Sequence, residues 1–239
     1  MQYSKISDVL ILGSSKGLGK SLYNLFKTDN LDSLGVARTQ SNYTDFLCDL
    51  SNKNEVEKLI ELLHNSEIMP KNIIFNAGQG SSNKEKFEDR KEELMKQNLY
   101  TSKNFIEILK KYPSELQIVE NVIFINSICA LKNFNCSEEY KQAKSALLDY
   151  SRILAKDLLE YGIRVNSILP GNIMHENSVW NEKFKDKKEE ISFLSKTMPN
   201  KTWIYPDDVY RAIRFLIENK NIVNTEIILD GGQNLFSPG

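Results

Sequence analysis

Val9-Leu10-Ile11-Leu12 runs straight into Gly13-Ser14-Ser15-Lys16-Gly17-Leu18-Gly19, and a helical pattern follows with Leu18, Leu22, Leu25 and Phe26 on one face. A four-residue apolar run closed by glycine reads as a buried strand. A strand apolar at every position has no face to give to water, so it calls for a sheet covered by helices on both sides. The turn also carries chemistry. Glycines let the backbone approach a dinucleotide pyrophosphate, and the first N–H groups of the helix offer it the positive end of a dipole. The spacing is GxxxGxG, not GxGxxG, and the competing reading is a flexible loop between strand and helix.

The alternation continues along the chain. Leu34–Ala37 reads as the second strand, Phe46-Leu47-Cys48-Asp49-Leu50 as a third that ends in Asp49, and Lys53–Leu63 as a helix with Val56, Leu59, Ile60 and Leu63 inward. Pro70 is expected to break the connection to a fourth strand, Asn72–Phe75, which Asn76-Ala77-Gly78 ends. Small residues at that strand end let a ligand lie against the backbone. One helix is expected from Phe87 to Lys111, with Asn98 inside it. Val122–Ile125 is the fifth strand and leads to Asn126-Ser127, after which 128–137 shows no clear period. Glu138–Glu160 is a long helix closed by Gly162, and Arg164–Leu169 is a sixth strand stopped by Pro170-Gly171. Residues from about 172 to 200 look like a charged, amphipathic insertion with Val179, Trp180, Phe184, Ile191, Phe193 and Leu194 as its apolar members. A helix from Pro206 and a seventh strand, Ile227–Leu229, close the series before Asp230-Gly231-Gly232. The pattern predicts one α/β domain over residues 1–239: a doubly wound Rossmann fold with a seven-stranded parallel sheet and helices on both faces.

Strand ends then point to a ligand. Arg38 follows the second strand, where a dinucleotide fold presents a side chain to the adenosine ribose. A carboxylate there bonds a 2′-hydroxyl, whereas an arginine suits a 2′-phosphate that Lys16 can also reach, so NADP(H) is favoured over NAD(H). Asp49 either accepts from the adenine amino group or caps the next helix, a role for which Ser51 and Asn52 compete.

Net charge is −1, so no basic field recruits nucleic acid or anionic lipid. No signal peptide opens the chain and no apolar run approaches the roughly 20 residues that span a bilayer, which leads to a cytoplasmic expectation with no membrane partner. Cys48, Cys129 and Cys136 form no metal spacing, and reduced thiols are expected.

Tyr140 and Lys144 stand four apart on the long helix and so share a face. A neighbouring ammonium favours phenolate, so the pair suits proton transfer; the competing reading is a solvated helix face. With the glycine turn, Asp49, Asn76-Ala77-Gly78, Asn98, Ser127, Tyr140-xxx-Lys144, Pro170-Gly171 and Asp230-Gly231-Gly232 in this order, the chain resembles the short-chain dehydrogenase/reductase family over nearly its whole length.

The resemblance implies a reductase of a ketone or aldehyde. Tyr140 would give the proton, Lys144 would lower its pKa and bond the nicotinamide ribose, Ser127 would hold the substrate oxygen, and Asn98 would hold a water. Cofactor contacts are expected at Gly13, Ser15, Lys16, Gly17, Leu18, Gly19, Arg38, Asp49, Leu50, Asn76, Ala77, Gly78, Tyr140, Lys144, Pro170, Gly171 and Ile173, with no metal. It also implies a homodimer or homotetramer through the two long helices. Three positions depart from the family pattern: Leu12 replaces a Thr, His175 stands where a Thr is usual after Pro170-Gly171, and the glycine before the last strand is missing near Asn224-Thr225. His175 is open to three readings: a similar hydrogen bond, a substrate contact, or a loop residue. Gln79, Asn83, Lys132, Asn133, Asn135, Asn172, His175, Glu176 and Asn177 around the expected pocket lean toward a small, polar substrate such as a sugar or sugar phosphate. A 3-oxoacyl thioester is the alternative. A cofactor-sensing binding protein and an epimerase on the same scaffold are the competing classes.

Overall fold

The computed structural model describes residues 5–78, 80, 87–132, 134, 136–176, 178, 180, 183–184 and 186–236. Seven strands form one sheet: β1 (Lys5–Leu12), β2 (Ser33–Ala37), β3 (Phe46–Leu47), β4 (Ile68–Phe75), β5 (Asn121–Ile125), β6 (Arg164–Pro170) and β7 (Glu226–Leu229). Their order is β3-β2-β1-β4-β5-β6-β7, and each paired neighbour is parallel. The helices are α1 (Gly17–Thr28), α2 (Lys53–Asn65), α3 (Phe87–Met95), α4 (Thr101–Leu109), α5 (Pro113–Leu116), α6 (Glu138–Leu159), α7 (Lys187–Thr197), α8 (Pro206–Glu218) and α9 (Gln233–Phe236).

Successive strand residues point to opposite faces, and the core divides accordingly. Leu10, Leu12, Ile73, Phe75, Val122 and Phe124 pack with α2, α4 and α6. Val9, Ile11, Ile74, Ile123 and Ile125 pack with α1 and α8 on the other face. Each of these fully buried side chains contributes roughly 1.5–3 kcal/mol of transfer free energy, which is why central strands read as unbroken apolar runs.

Several expected boundaries shift. Pro70 lies inside β4 instead of breaking it: β5 pairs with β4 only from Asn72 onward, so at Pro70 the strand has β1 on one side alone and its missing N–H costs nothing there. β3 stops at Leu47, short of the expected end at Asp49, because after the Cys48 N–H donates to the Ala37 carbonyl (3.0 Å) the chain turns on Asp49, whose side chain accepts from the Ser51 N–H (3.0 Å) and hydroxyl (2.7 Å). The cap of α2 is Asn52, which accepts from the Asn54 N–H. β6 includes Pro170, paired with Leu229.

The single helix expected over Phe87–Lys111 is two helices joined by a π-turn, Lys96–Tyr100, and Asn98 sits in that turn. A π-turn adds a residue to the helical repeat, so hydrophobic periodicity does not reveal it. Asn224 takes φ +54, the left-handed conformation that favours glycine and that asparagine tolerates, and so fills the place of the missing glycine before β7. Buried Arg164 at the start of β6 donates to the carbonyls of Leu216 (2.8 Å), Asn219 (2.7 Å) and Ile217 (3.0 Å), closing the end of α8.

Beyond β6, Ile173 bridges to Ile204, and Trp180, Phe184, Phe193 and Trp203 form an aromatic cluster with ring centroids 5.2 to 6.0 Å apart. Val179, named with them from the sequence, lies outside the described residues. Among the described residues no helix is long and apolar enough to cross a membrane.

Candidate active site

The chain runs from β1 outward to β3, then crosses back to β4 on the other side of β1. Such a reversal opens a crevice at the carboxyl ends of the two strands. Gly13 and Ala77 meet there: Gly13 has φ +99, and a Cβ on it would lie 2.6 Å from the Ala77 nitrogen. A Cβ on Gly19 would lie 1.9 Å from the Gly13 carbonyl oxygen, which already accepts from Asn76 Nδ2 (2.8 Å). α1 then starts at Gly17 with no side-chain cap and no acid in its first turn. This combination presents backbone N–H groups and a dipole end to an anion.

A cleft of about 610 Å³ runs along this crevice from Arg38 and Asp49 to Tyr140 and Lys144. Of the expected cofactor residues, Gly13, Ser15, Lys16, Gly17, Leu18, Arg38, Asp49, Leu50, Asn76, Ala77, Gly78, Tyr140, Lys144 and Ile173 line it, as does Asn98. Gly19 lies beneath the turn that it permits. Pro170 and Gly171 stand away from the cleft: Gly171 packs on Asp230 and on Gln233, whose Oε1 lies 2.6 Å from where a Cβ would be. Thr39, Gln97, Thr101, Ser178 and Trp180 also line the cleft and were not singled out as cofactor contacts from the sequence. Gln97 and Thr101 face it because of the π-turn. Arg38 and Lys16 are exposed at the cleft, and no carboxylate follows β2. Asp49 is held below the usual carboxylate range: burial opposes this, but the Ser51 hydrogen bonds, Arg38 and Lys96 outweigh it. The glycine cradle, the open helix end and the two cations fit a dinucleotide phosphate.

At the other end, Ser137 caps α6 by accepting from the Tyr140 N–H (3.3 Å), which places Tyr140 in the first turn. Ser127 follows β5, its hydroxyl accepts from the Cys129 N–H (3.2 Å), and it stands near enough to the Tyr140 phenol to stabilise its charged form. Lys144 Nζ lies 5.8 Å from the centre of the Tyr140 ring and donates to the Ile125 carbonyl (3.5 Å). A Cβ on Gly78 would stand 2.6 Å from Asn98 Oδ1 and 3.6 Å from Lys144 Nζ, so both polar atoms converge on this glycine. Asn98 Nδ2 is fixed by the Leu94 carbonyl (2.9 Å). Ser127, Tyr140, Lys144 and Asn98 therefore come together although 46 residues separate the first and last in sequence.

One expectation reverses. Lys144 was expected to pull the Tyr140 phenol toward neutrality, but among the protein's own groups burial, then Cys129, pushes the phenol up, and Ser127 offsets only part of this. Burial lowers Lys144 itself to about 8. The phenol is thus held protonated, as a proton donor requires.

His175 lines the cleft with its ring against the glycine turn, Cε1 lying 3.2 Å from where a Gly17 Cβ would be, and its Nδ1 is 2.8 Å from the Glu176 carbonyl. Glu176 pairs with Lys20 (2.5 Å), tying this loop to α1 across the cleft. Lys132 stands over the Phe134 ring (5.4 Å). Gln79, Asn83, Asn133, Asn135 and Asn177 lie outside the described residues. Among the described residues no group of histidine, cysteine and carboxylate side chains could hold a metal.

Residues 28–234 match the family model described as enoyl-(acyl carrier protein) reductase. A 3-oxoacyl-[acyl-carrier-protein] reductase of Rickettsia prowazekii is 28% identical over 88% of this chain and 88% of its own. ElxO with NADP bound superposes over 95% of this chain and 98% of its own, with a TM-score of 0.80 and 22% identity. A 4-hydroxyisoleucine dehydrogenase mutant complexed with NADH and succinate gives 0.84 and 24%, over 98% and 100%. These two structures share the fold. The fold, the site and the family match together place the chain in the short-chain dehydrogenase/reductase family of NAD(P)-dependent oxidoreductases.

Proposed function

We propose that the chain is an NADPH-dependent reductase of a ketone or aldehyde, with Tyr140 as the acid. The observation that carries this reading is a half-buried Tyr140 phenol, kept protonated beside Ser127 and Lys144 at the end of a dinucleotide-shaped cleft. The nicotinamide, when bound, supplies the hydride. Reduction builds negative charge on the carbonyl oxygen, which needs donors and then a proton. Ser127 Oγ holds that oxygen and Tyr140 Oη delivers the proton. Lys144 Nζ faces Gly78 beside Asn98 Oδ1, which supports a role in bonding a ribose hydroxyl and in restoring the phenol proton through a water at Asn98. Arg38 and Lys16 give the preference for a 2′-phosphate.

Trp180 on the cleft wall, and relatives named as 3-oxoacyl reductases, support a 3-oxoacyl thioester beside the small polar carbonyl that His175 and Glu176 favour. The 172–200 segment, with its aromatic cluster, would cover the substrate. In a screen that follows NADPH oxidation with an acetoacetyl thioester, a keto sugar, a keto-sugar phosphate and an enoyl thioester, a ketone is expected to respond. Tyr140→Phe should then bind NADPH as the wild type does, while turnover falls at least roughly 100-fold. Full activity in that variant would remove Tyr140 as the acid.

A further inference from the structure

We propose that the pocket walled by Trp180, Phe184, Trp203 and Tyr205, with the Glu190 carboxylate in its lining, is a binding site for a small organic ammonium ion, a quaternary or protonated amine. The site does not depend on the reductase reading above; only the last arm of its test does.

A second cavity, of about 290 Å³, lies in the segment after β6. Met174 and the four aromatic side chains line it together with Asp186, Lys187 and Glu190. Trp180 also lines the reaction cleft, so the two spaces share a wall. The volume is near the lower end for small-molecule pockets, roughly 300 Å³, which suits a compact ligand. Aromatic faces carry negative partial charge and attract cations. This cluster already does so on its own chain: Lys183 Nζ stands 4.5 Å from the centre of the Trp180 ring and 4.6 Å from that of Phe193.

Glu190 supplies a full charge. Its Oε1 accepts from the Trp203 indole N–H (2.7 Å), which fixes the carboxylate against the aromatic wall, and its Oε2 accepts from the Lys187 ammonium (2.8 Å). Lys187 and the indole hold Glu190 below the usual carboxylate range, so it is ionised at neutral pH. Asp186 adds a second carboxylate, whose Oδ1 accepts from the N–H groups of Lys188 (2.8 Å) and Glu189 (3.0 Å). Two carboxylates against one ammonium leave the lining net negative. Lys187 is a resident stand-in for the ligand. Its side chain is 74% exposed at the start of α7 and gains little from an ion pair in water. An ammonium that carries methyl groups gains the aromatic walls as well as Glu190 and displaces it. An acyl chain would suit the walls but would leave Glu190 and Asp186 facing hydrocarbon.

The test reads tryptophan emission, because Trp180 and Trp203 are the two tryptophans of the chain. The whole chain, without cofactor, is titrated at fixed ionic strength with choline and with its uncharged isostere 3,3-dimethylbutanol. Choline should shift the emission saturably and bind roughly tenfold tighter than the alcohol. Glu190→Gln, which keeps an acceptor for the Trp203 indole, should abolish that preference. Lys187→Met, which removes the resident competitor, should lower the choline midpoint roughly twofold to fivefold. NADPH titration should be the same in all three proteins. The proposal is overturned if choline leaves the emission unchanged, if the alcohol binds as well as choline, or if neither variant moves the midpoint. The last arm compares KM for acetoacetylcholine and 3,3-dimethylbutyl acetoacetate. A lower KM for the charged ester, lost in Glu190→Gln, makes the ammonium part of the substrate; equal KM values with choline binding intact make it a separate ligand. If neither ester is reduced, the reductase reading loses support, while the choline titration still decides the site.

Discussion

Lys144 shows how burial sets a side chain's chemistry. In the unfolded chain it holds its proton up to about 10.5, and in the fold only up to about 8. Between those values the unfolded chain binds the extra proton, so the contribution of Lys144 to stability rises with pH across the window and its burial costs most below 8. The gain from end to end is of order 3 kcal/mol. Urea midpoints of wild type and Lys144→Met, measured without cofactor, should diverge in favour of wild type as pH rises through that window; parallel curves would mean that Lys144 stays charged in the fold. Arg38 decides a different question. It is exposed and followed by Thr39 at the mouth of the cleft, where the proposed reading gives it a 2′-phosphate to recognise. Arg38→Asp should move the preference from NADPH toward NADH in fluorescence titrations, and an unchanged ratio would remove its role. At this scale the sequence was legible where chemistry depends on spacing: Tyr140 and Lys144 share a helix face at any packing. It was not legible where chemistry depends on surroundings, and the direction of the Tyr140 shift follows from burial that no local pattern encodes.

Elements whose residues repeat with the period of their own geometry could be read directly. β1, β4 and β5 are apolar on both faces because helices cover both. The π-turn at Lys96–Tyr100 could not, since it interrupts the repeat by which helices are recognised. It matters to function, because it turns Gln97, Asn98 and Thr101 toward the cleft. The closure of α8 was equally hidden: Arg164 reads as the polar start of a strand, and its carbonyl partners lie 52 to 55 residues later. A buried guanidinium satisfied by three carbonyls cannot be replaced by an apolar side chain without leaving those carbonyls bare. Arg164→Leu should cost about 2–4 kcal/mol in urea denaturation, with amide exchange rising first in the last turn of α8. A loss confined to a few tenths would show that water replaces the guanidinium.

At the scale of the molecule, the outer sides of α4 and of the long helix α6 remain partly unaccounted for. α4 and α6 lie side by side, joined by Lys103 over the Tyr150 ring (5.5 Å) and by Lys110 with Asp157 (3.9 Å). The inner side of α6 buries Leu147, Leu154 and Leu158, yet Ile153 is 62% exposed, and Leu159 (51%) and Tyr161 (46%) follow at its end. Tyr100, just before α4, is 43% exposed. Large apolar side chains left exposed along one pair of helices invite a covering partner. A self-complementary pairing through this face would cover them twice over, since a two-fold interface uses the same patch on both copies. It would also stiffen α6, whose first turn holds Tyr140, and so connect assembly to the catalytic end of the cleft. Light scattering coupled to size exclusion should give a dimer or tetramer for wild type. Ile153→Glu, which places a charge on the outer side of α6 and leaves the core untouched, should lower the mass toward the monomer while NADPH binding persists. A wild type that is monomeric at micromolar concentration would mean that these side chains are tolerated exposure, and that Tyr140 is positioned by its own chain alone.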